Sequence, residues 1–221
     1  MKLHDKVHED SYVAETKGLT IHSWARFYDK LVGLISLGRE RQMRVASLEL
    51  IDVQPESTIL DVGCGTGSLV IEAKRLALDG TVVGIDPSSN MVNLAKRKAE
   101  KARVDVDFQV GVIEQIDFPD NQFDIVLSSL MMHHLPDDLK KEGLQEMQRV
   151  LKPGGIFLIV DLDLSTFSLA SVIHGHTSPN ELSPETSKTS RYMEEAGYVS
   201  IENGRLKFRG FSYNKGKKAD L

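Results

Sequence analysis

The sequence predicts an α/β fold built on a parallel sheet, and its patterning carries that expectation. Short β-branched or apolar runs alternate with helical patterns from Thr58 onward. An acid and three alternating glycines stand where the first run, Ile59 to Val62, gives way to a helical stripe of Leu69, Ala73 and Leu76. A second run, Thr81 to Asp86, again ends in an acid. With 221 residues and 41% hydrophobic content there is room for one sizeable core and no second full domain, so residues 1–221 read as a single unit.

Taken in order, residues 1–18 alternate charges without an apolar core; they read as a polar, mobile arm, neither signal peptide nor anchor. Residues 19–52 form a helical cap of two patterns, 22–37 and 39–51, split by Gly38. In the first, Trp24, Tyr28, Leu31 and Ile35 share one face, which Phe27, Leu34 and Leu37 widen over most of the circumference. Such a helix roofs an apolar acceptor pocket, makes a peripheral membrane contact, or docks on the sheet, and all three readings stay open. The core, residues 58–162, carries helical patterns near 67–78, 88–103 and 136–151; in the second, Met91, Ala95, Ala99 and Ala102 form one stripe. Residues 164–187, rich in Ser, Thr, Pro, Gly and Asn, read as a lid or acceptor loop, or as a long solvated connection. A helix and two strand-like runs, residues 188–215, follow.

The glycine turn is Asp61-Val62-Gly63-Cys64-Gly65-Thr66-Gly67. Glycine suits a strand-to-helix turn because the backbone takes positive φ and lets a ligand approach without a Cβ in the way. The turn is also expected to aim unpaired N–H groups into the crevice. A dinucleotide fingerprint, G-x-G-x-x-G, would need its third glycine at Ser68. Asp61 also opposes that reading, since a carboxylate repels a pyrophosphate and attracts an ammonium or sulfonium group.

These residues resemble the D/E-x-G-x-G-x-G signature of the class I S-adenosylmethionine-dependent methyltransferases. Further matches fall in the same order: Thr81-Val82-Val83-Gly84-Ile85-Asp86, then Asn121 to Ser128, then Leu151-Lys152-Pro153-Gly154-Gly155 into Ile159, and Ala196-Gly197-Tyr198 ahead of the last two runs. The resemblance implies a Rossmann-like, mostly parallel seven-stranded sheet with helices on both faces and an antiparallel C-terminal hairpin. It implies S-adenosyl-L-methionine as cofactor, with Asp61, Gly63, Cys64, Gly65 and Gly67 around the methionine part and Asp86 on the ribose hydroxyls. Pro87 and Met91 would lie near the adenine, although Met91 also fits core packing. Within the class, Tyr28-Asp29 and Ser36-Leu37-Gly38-Arg39-Glu40-Arg41-Gln42-Met43-Arg44 resemble the start of the ubiquinone/menaquinone C-methyltransferases, with Glu40 and Met43 where those enzymes usually carry His and Trp. Bacterial phospholipid N-methyltransferases have a comparable arrangement. The quinone group's Gly-Asp-Ala-Glu is Gly111-Val112-Ile113-Glu114 here, so the acid for the adenine amino group is missing and the Val112 and Ile113 backbone is left to read the adenine edge.

Ligands of parallel sheets lie outside the carboxyl ends of the strands, which adds Ser128 and the stretch to His134 to the candidates. His133 and His134 are candidate general bases, or they fix the turn by hydrogen bonding; Tyr28 is a third candidate, or packing. Methyl transfer is an in-line displacement that needs no metal, and His174-Gly175-His176 beside the lone Cys64 makes no closed metal site. The single cysteine fits a reducing compartment, and no apolar run reaches about 18 residues, so a cytoplasmic protein is expected. A net charge of −5 gives no electrostatic footprint for nucleic acid, leaving a small-molecule acceptor as the expected partner and the oligomeric state undetermined. Two other readings stay open: a small-amine or phospholipid N-methyltransferase, and a non-catalytic cofactor-binding regulator.

Overall fold

A computed structural model describes residues 13–16, 38–163, 182–208 and 210–220. Among them the elements run α1 (Glu40–Leu48), β1 (Ile59–Val62), α2 (Ser68–Leu76), β2 (Val82–Asp86), α3 (Ser89–Ala102), β3 (Asp107–Val110), β4 (Phe123–Ser129), a 3₁₀ turn (Met132–His134), α4 (Asp137–Val150), β5 (Leu151–Leu162), α5 (Pro184–Glu195), β6 (Tyr198–Arg205) and β7 (Phe211–Lys218). The strands form one seven-stranded sheet in the order β3-β2-β1-β4-β5-β7-β6. β1 to β5 run parallel to one another, while β7 is antiparallel to both β5 and β6. The expected Rossmann-like sheet with its C-terminal antiparallel pair is therefore present. Consecutive parallel strands need crossovers, and right-handed helical crossovers place helices on both faces.

Two apolar cores result. One face buries Ile59, Val70, Ala95, Phe108, Leu127 and Leu158 together with Met43 and Leu48 of α1. The other buries Leu60, Val126, Phe157 and Ile159 under Leu144 and Met147 of α4 and Met193 of α5. Strand alternation explains the split, since neighbours such as Ile59 and Leu60 point to opposite faces. Ionic contacts join α1 to the sheet layer: Arg41 Nε donates to Glu72 Oε1 of α2 at 2.9 Å.

Several sequence expectations are refined here. The pattern over residues 39–51 is helical only across Glu40–Leu48. Residues 184–187, read as the end of a loop, are the first turn of α5; Ser183 caps it by accepting from the Thr186 N–H, and Pro184 sits where no N–H is needed. Within the expected mobile arm, Val13 bridges Ser88 and the Ala14 N–H donates to Pro87 O at 2.9 Å, so this stretch is tied to the edge of the crevice. The helix expected over residues 22–37, with Tyr28, and most of the loop expected over 164–187, with His174 and His176, lie outside the described residues. Among the described residues no helix is long and apolar enough to cross a membrane, and no group of His, Cys, Asp and Glu is arranged to hold a metal ion.

Gly67 joins the cofactor-side turn to this packing. Its φ is +75°, and a Cβ there would lie 2.6 Å from Phe108 Cζ and 2.9 Å from Ala95 Cβ. Gly67→Ala is expected to cost about 2–4 kcal/mol, from the left-handed backbone plus overpacking. Urea unfolding checks this: the midpoint falls with an unchanged m value, and an unmoved midpoint contradicts the packing described.

Candidate active site

The sheet order reverses between β1 and β4, and the crevice at their carboxyl ends is where a ligand of such a sheet binds. β1 ends in the glycine turn, whose Gly63, Gly65 and Gly67 all take positive φ, at 74°, 53° and 75°. Four of its N–H groups are spent within the protein. Gly63 and Cys64 both donate to Ile85 O at 2.9 Å, Gly65 donates to Asp86 Oδ2 at 3.0 Å, and Gly67 donates to Cys64 O at 2.9 Å. A pyrophosphate needs those donors, so the turn is not a phosphate cradle. Lys98 pins the start of α2 as well, donating to Thr66 Oγ1 and Ser68 Oγ at 2.8 Å each.

Asp61 is buried behind this turn at 1% exposure, and its Oδ1 has no hydrogen-bond partner. Burial pushes its pKa up to about 8; the Arg44 guanidinium works against that rise, and the Asp86 charge adds to it. Asp86, at the end of β2, accepts from the Ser88 N–H at 2.9 Å as well as from Gly65. Burial raises it to about 6, against those two hydrogen bonds. Each Asp86 oxygen thus holds one backbone donor and keeps acceptor capacity for a ligand hydroxyl. The pair forms an acidic wall in which Asp61 holds its proton to about pH 8 and Asp86 to about pH 6.

Other sequence candidates sort by where their side chains go. Cys64 turns into the core, where a Cβ on Gly84 would meet its Sγ at 2.9 Å, so only its backbone remains for a ligand. The Ile113 side chain packs on Gly143 of α4 in the second core, which agrees with the expectation that only its backbone is available to a ligand. Val112 is half-buried and bridges Gln115. Met91 is buried yet belongs to neither core, and Pro87 beside it carries the Ala14 hydrogen bond. Ser128 and its neighbour Ser129 are buried with hydroxyl oxygens lacking partners.

After β4 the chain turns sharply at Leu130, whose φ of +58° is strained for a branched side chain. Met131 then lies against Gly63. The rings of His133 and His134 lie with centroids 3.9 Å apart and planes tilted by 44°, and burial followed by the neighbouring His133 holds His134 below the usual imidazole range. Asp161 of β5 meets the Nδ1 of His133 and accepts from the His133 N–H at 2.9 Å.

Sequence reading took Ser129 and Met131 only as part of the stretch from Ser128 to His134, and it missed Arg44 and Asp161. Those two had no local signal, since their roles come from contacts made only in the folded chain.

The fold, and the crevice it forms, are similar to those of solved proteins described as S-adenosylmethionine-dependent methyltransferases. More particularly, residues 59–155 match a family model described as a methyltransferase domain, and the curated relatives include quinone C-methyltransferases. A demethylmenaquinone methyltransferase of Bacillus cereus (strain B4264) is 36% identical over 141 residues, covering 63% of this chain and 59% of that protein. A probable methyltransferase, ltbC, of Aspergillus luteorubrus is 32% identical over 178 residues, covering 69% of this chain and 62% of that protein. The chain thus spans about three fifths of the length of these relatives. Among solved structures, a SAM-dependent methyltransferase from Aquifex aeolicus superposes with a TM-score of 0.66 at 21% identity, covering 88% of this chain and 96% of that one.

The acidic wall generates a pH prediction. Asp61 and Asp86 sit above their unfolded values, so the empty fold retains protons that the unfolded chain has released, and their ionisation opposes folding as pH rises from about 4 toward 8. A bound cation reverses this by favouring the carboxylates. S-adenosylmethionine affinity is therefore expected to rise about tenfold or more from pH 6 to pH 8, with protons released on binding. Asp61→Asn flattens the rise while increasing the melting temperature of the ligand-free chain at pH 8. Calorimetry in two buffers of different ionisation enthalpy checks it, and a flat pH dependence in the native chain contradicts it.

Proposed function

We propose that the chain transfers a methyl group from S-adenosyl-L-methionine to a small, apolar acceptor, with quinone-like C-methylation as the favoured chemistry. The observation that carries this reading is the buried Asp61 carboxyl, unpartnered at Oδ1, behind a glycine turn in which Gly63, Cys64, Gly65 and Gly67 already spend their N–H groups within the protein. Such a site fits a ligand bearing cationic groups and hydroxyls and does not fit a pyrophosphate.

When bound, the cofactor supplies an electrophilic methyl group. The residues of the chain do the rest. Asp61 faces positive charge, and Asp86 accepts from ribose hydroxyls with the lone pairs its backbone donors leave free. Gly63 and Gly65 keep the backbone close to the ligand, and Pro87, Met91 and the Val112 and Ile113 backbone border the adenine. Ser128 borders the cofactor and Met131 the acceptor side, and His133, His134 and Tyr28 are the candidate bases. Holding an acceptor collinear with the methyl group is the main task of the site, an effect that reaches about 7–11 kcal/mol. The apolar character of the acceptor is supported by the sequence face of Trp24, Leu31 and Ile35. A phospholipid or small-amine N-methylation is the second reading, favoured by the Tyr28-Asp29 and Gly38-Arg39 pairs, and a non-catalytic cofactor-binding regulator the third.

Binding separates these readings from a nicotinamide enzyme. The purified chain is expected to bind S-adenosylmethionine and its demethylated product but not NAD. Asp86→Ala should weaken the cofactor at least tenfold, since charge-assisted hydrogen bonds contribute about 1.5–3 kcal/mol each. Gly65→Arg should abolish binding by filling the turn. NAD binding of comparable affinity, or unchanged affinity in a folded Asp86→Ala variant, would sink the assignment.

A further inference from the structure

We propose that the groove between α1 and the β6–β7 turn is a phosphate-ester site, in which Arg39, Gln42 and Lys207 hold the phosphate and an apolar floor takes the rest of the ligand. The groove is separate from the cofactor turn, and the proposal does not depend on the methyl-transfer reading.

Strand directions place the groove. β7 is antiparallel to both β5 and β6, so the turn between Arg205 and Phe211 lies at the carboxyl end of β5. In keeping with this, the Asp163 N–H just past β5 donates to Gly210 O at 2.8 Å. α1 starts at the same place, because Arg39, the residue before it, holds its guanidinium 4.9 Å from the centre of the Phe208 ring. A hollow of about 600 Å³ opens between the helix and the turn, within the size range of small-ligand sites.

The cationic end is arranged for an oxyanion. The face of Phe208 attracts the Arg39 guanidinium, and Arg39 Nε donates to Gln42 Oε1 at 2.9 Å. Two restraints thus orient a planar fork whose terminal N–H groups have no acceptor among the described residues. An arginine that served packing alone would be expected to close on a carboxylate, as Arg41 does on Glu72 and Arg44 on Glu40 in the same helix. Because the Gln42 oxygen is taken, its amide nitrogen remains as a donor. Lys207, exposed on the turn, adds a point charge and has no ion-pair partner among the described residues. A phosphate, with several acceptor oxygens, suits a fork and a point charge together.

The rest of the groove sets the direction of the ligand. Arg41 lines it but is spent on Glu72. Glu49, the one acid in the lining, stands at the far end of α1, about 15 Å from Arg39 along a helix axis. Val45, 38% exposed, and Ala46 lie between them. An anion is therefore attracted at one end only, and apolar carbon follows toward the other. The chain carries a net charge of −5, so these cations are a local feature and not the result of a basic composition. A phosphate ester with an apolar body matches both ends, either as a free molecule or as a lipid headgroup.

The test titrates the whole chain with inorganic phosphate, glycerol 3-phosphate and hexyl phosphate, followed by ³¹P NMR and calorimetry. Co-sedimentation with vesicles of equimolar phosphatidylglycerol and phosphatidylcholine forms a second arm. Melting temperature and S-adenosylmethionine affinity report that each variant is folded. We expect saturable binding, tighter for hexyl phosphate than for inorganic phosphate because the apolar floor adds to it. Arg39→Gln should weaken it about tenfold or more, the loss of one charge-assisted hydrogen bond. Lys207→Gln should weaken it less, Arg39→Lys should not restore it, and Glu49→Gln should leave it little changed. Vesicle binding that glycerol 3-phosphate reverses identifies a lipid headgroup as the source, and hexyl phosphate binding without vesicle binding identifies a soluble ester. Absence of saturable binding of all three soluble probes, or binding unmoved in folded Arg39→Gln, overturns the proposal. A glutamate peptide that binds as tightly as hexyl phosphate overturns it too, since the cations would then select no phosphate.

Discussion

A carboxyl group buried without a full set of partners is the constraint around which this structure is arranged. Asp61 closes the first strand with one oxygen unsatisfied, and Asp86 closes the second within reach of its charge. Two ionised carboxylates this deeply buried would cost several kcal/mol each, so in the empty site Asp61 keeps its proton near pH 7 while Asp86, raised only to about 6, ionises; Arg44 offsets part of the cost. Stability is sacrificed at this point for a place where a cation is more stable than in water. The rest of the site serves that exchange: the glycine turn spends its donors on Ile85 and Asp86, and Cys64 seals the turn against Gly84.

The two faces of the sheet divide the work. α1 to α3 pack over the face that holds Ile59, and by alternation Asp61 shares that face. α4 and α5 cover the face of Phe157 and Ile159, on which Asp161 follows in alternation. Cofactor-side acids and the His133–Asp161 pair thus arise from different faces and meet only at the carboxyl edge, where β1 and β4 diverge. A crevice built this way is held by packing on both sides, which fixes its residues better than a loop alone. Leu130, held at a strained backbone angle, makes the turn that brings Met131 against Gly63 and His133 against Asp161.

Much of this was legible in the sequence because the signals are local. The strand ending in Asp61, the alternating glycines and the second strand ending in Asp86 are read from spacing, and the parallel order of the sheet follows from strand and helix alternation. Side-chain direction was not legible in the same way. Cys64 and Ile113 look like site residues by position, yet Gly84 and Gly143 leave space that draws their side chains into the core. Arg44 and Asp161 stand 17 and 100 residues from Asp61 in the chain, and only the folded sheet shows what they touch. The end of the loop after β5 was misread because its polar composition hid a helix start, which Ser183 and Pro184 together specify. That Gly63, Cys64 and Gly65 spend their N–H groups on Ile85 and Asp86 was also invisible beforehand, since it depends on β2 running alongside.

The central claim is that Asp61 is a neutral acid in the empty crevice and a carboxylate when a cation occupies it. Infrared difference spectroscopy of the chain near pH 7, with and without S-adenosylmethionine, tests this directly through the carbonyl stretch of protonated carboxyl groups. The account predicts a protonated-carboxyl band in the ligand-free chain that is absent from Asp61→Asn and disappears when the cofactor binds. A ligand-free chain without that band, or a band that persists unchanged in the complex, would contradict it.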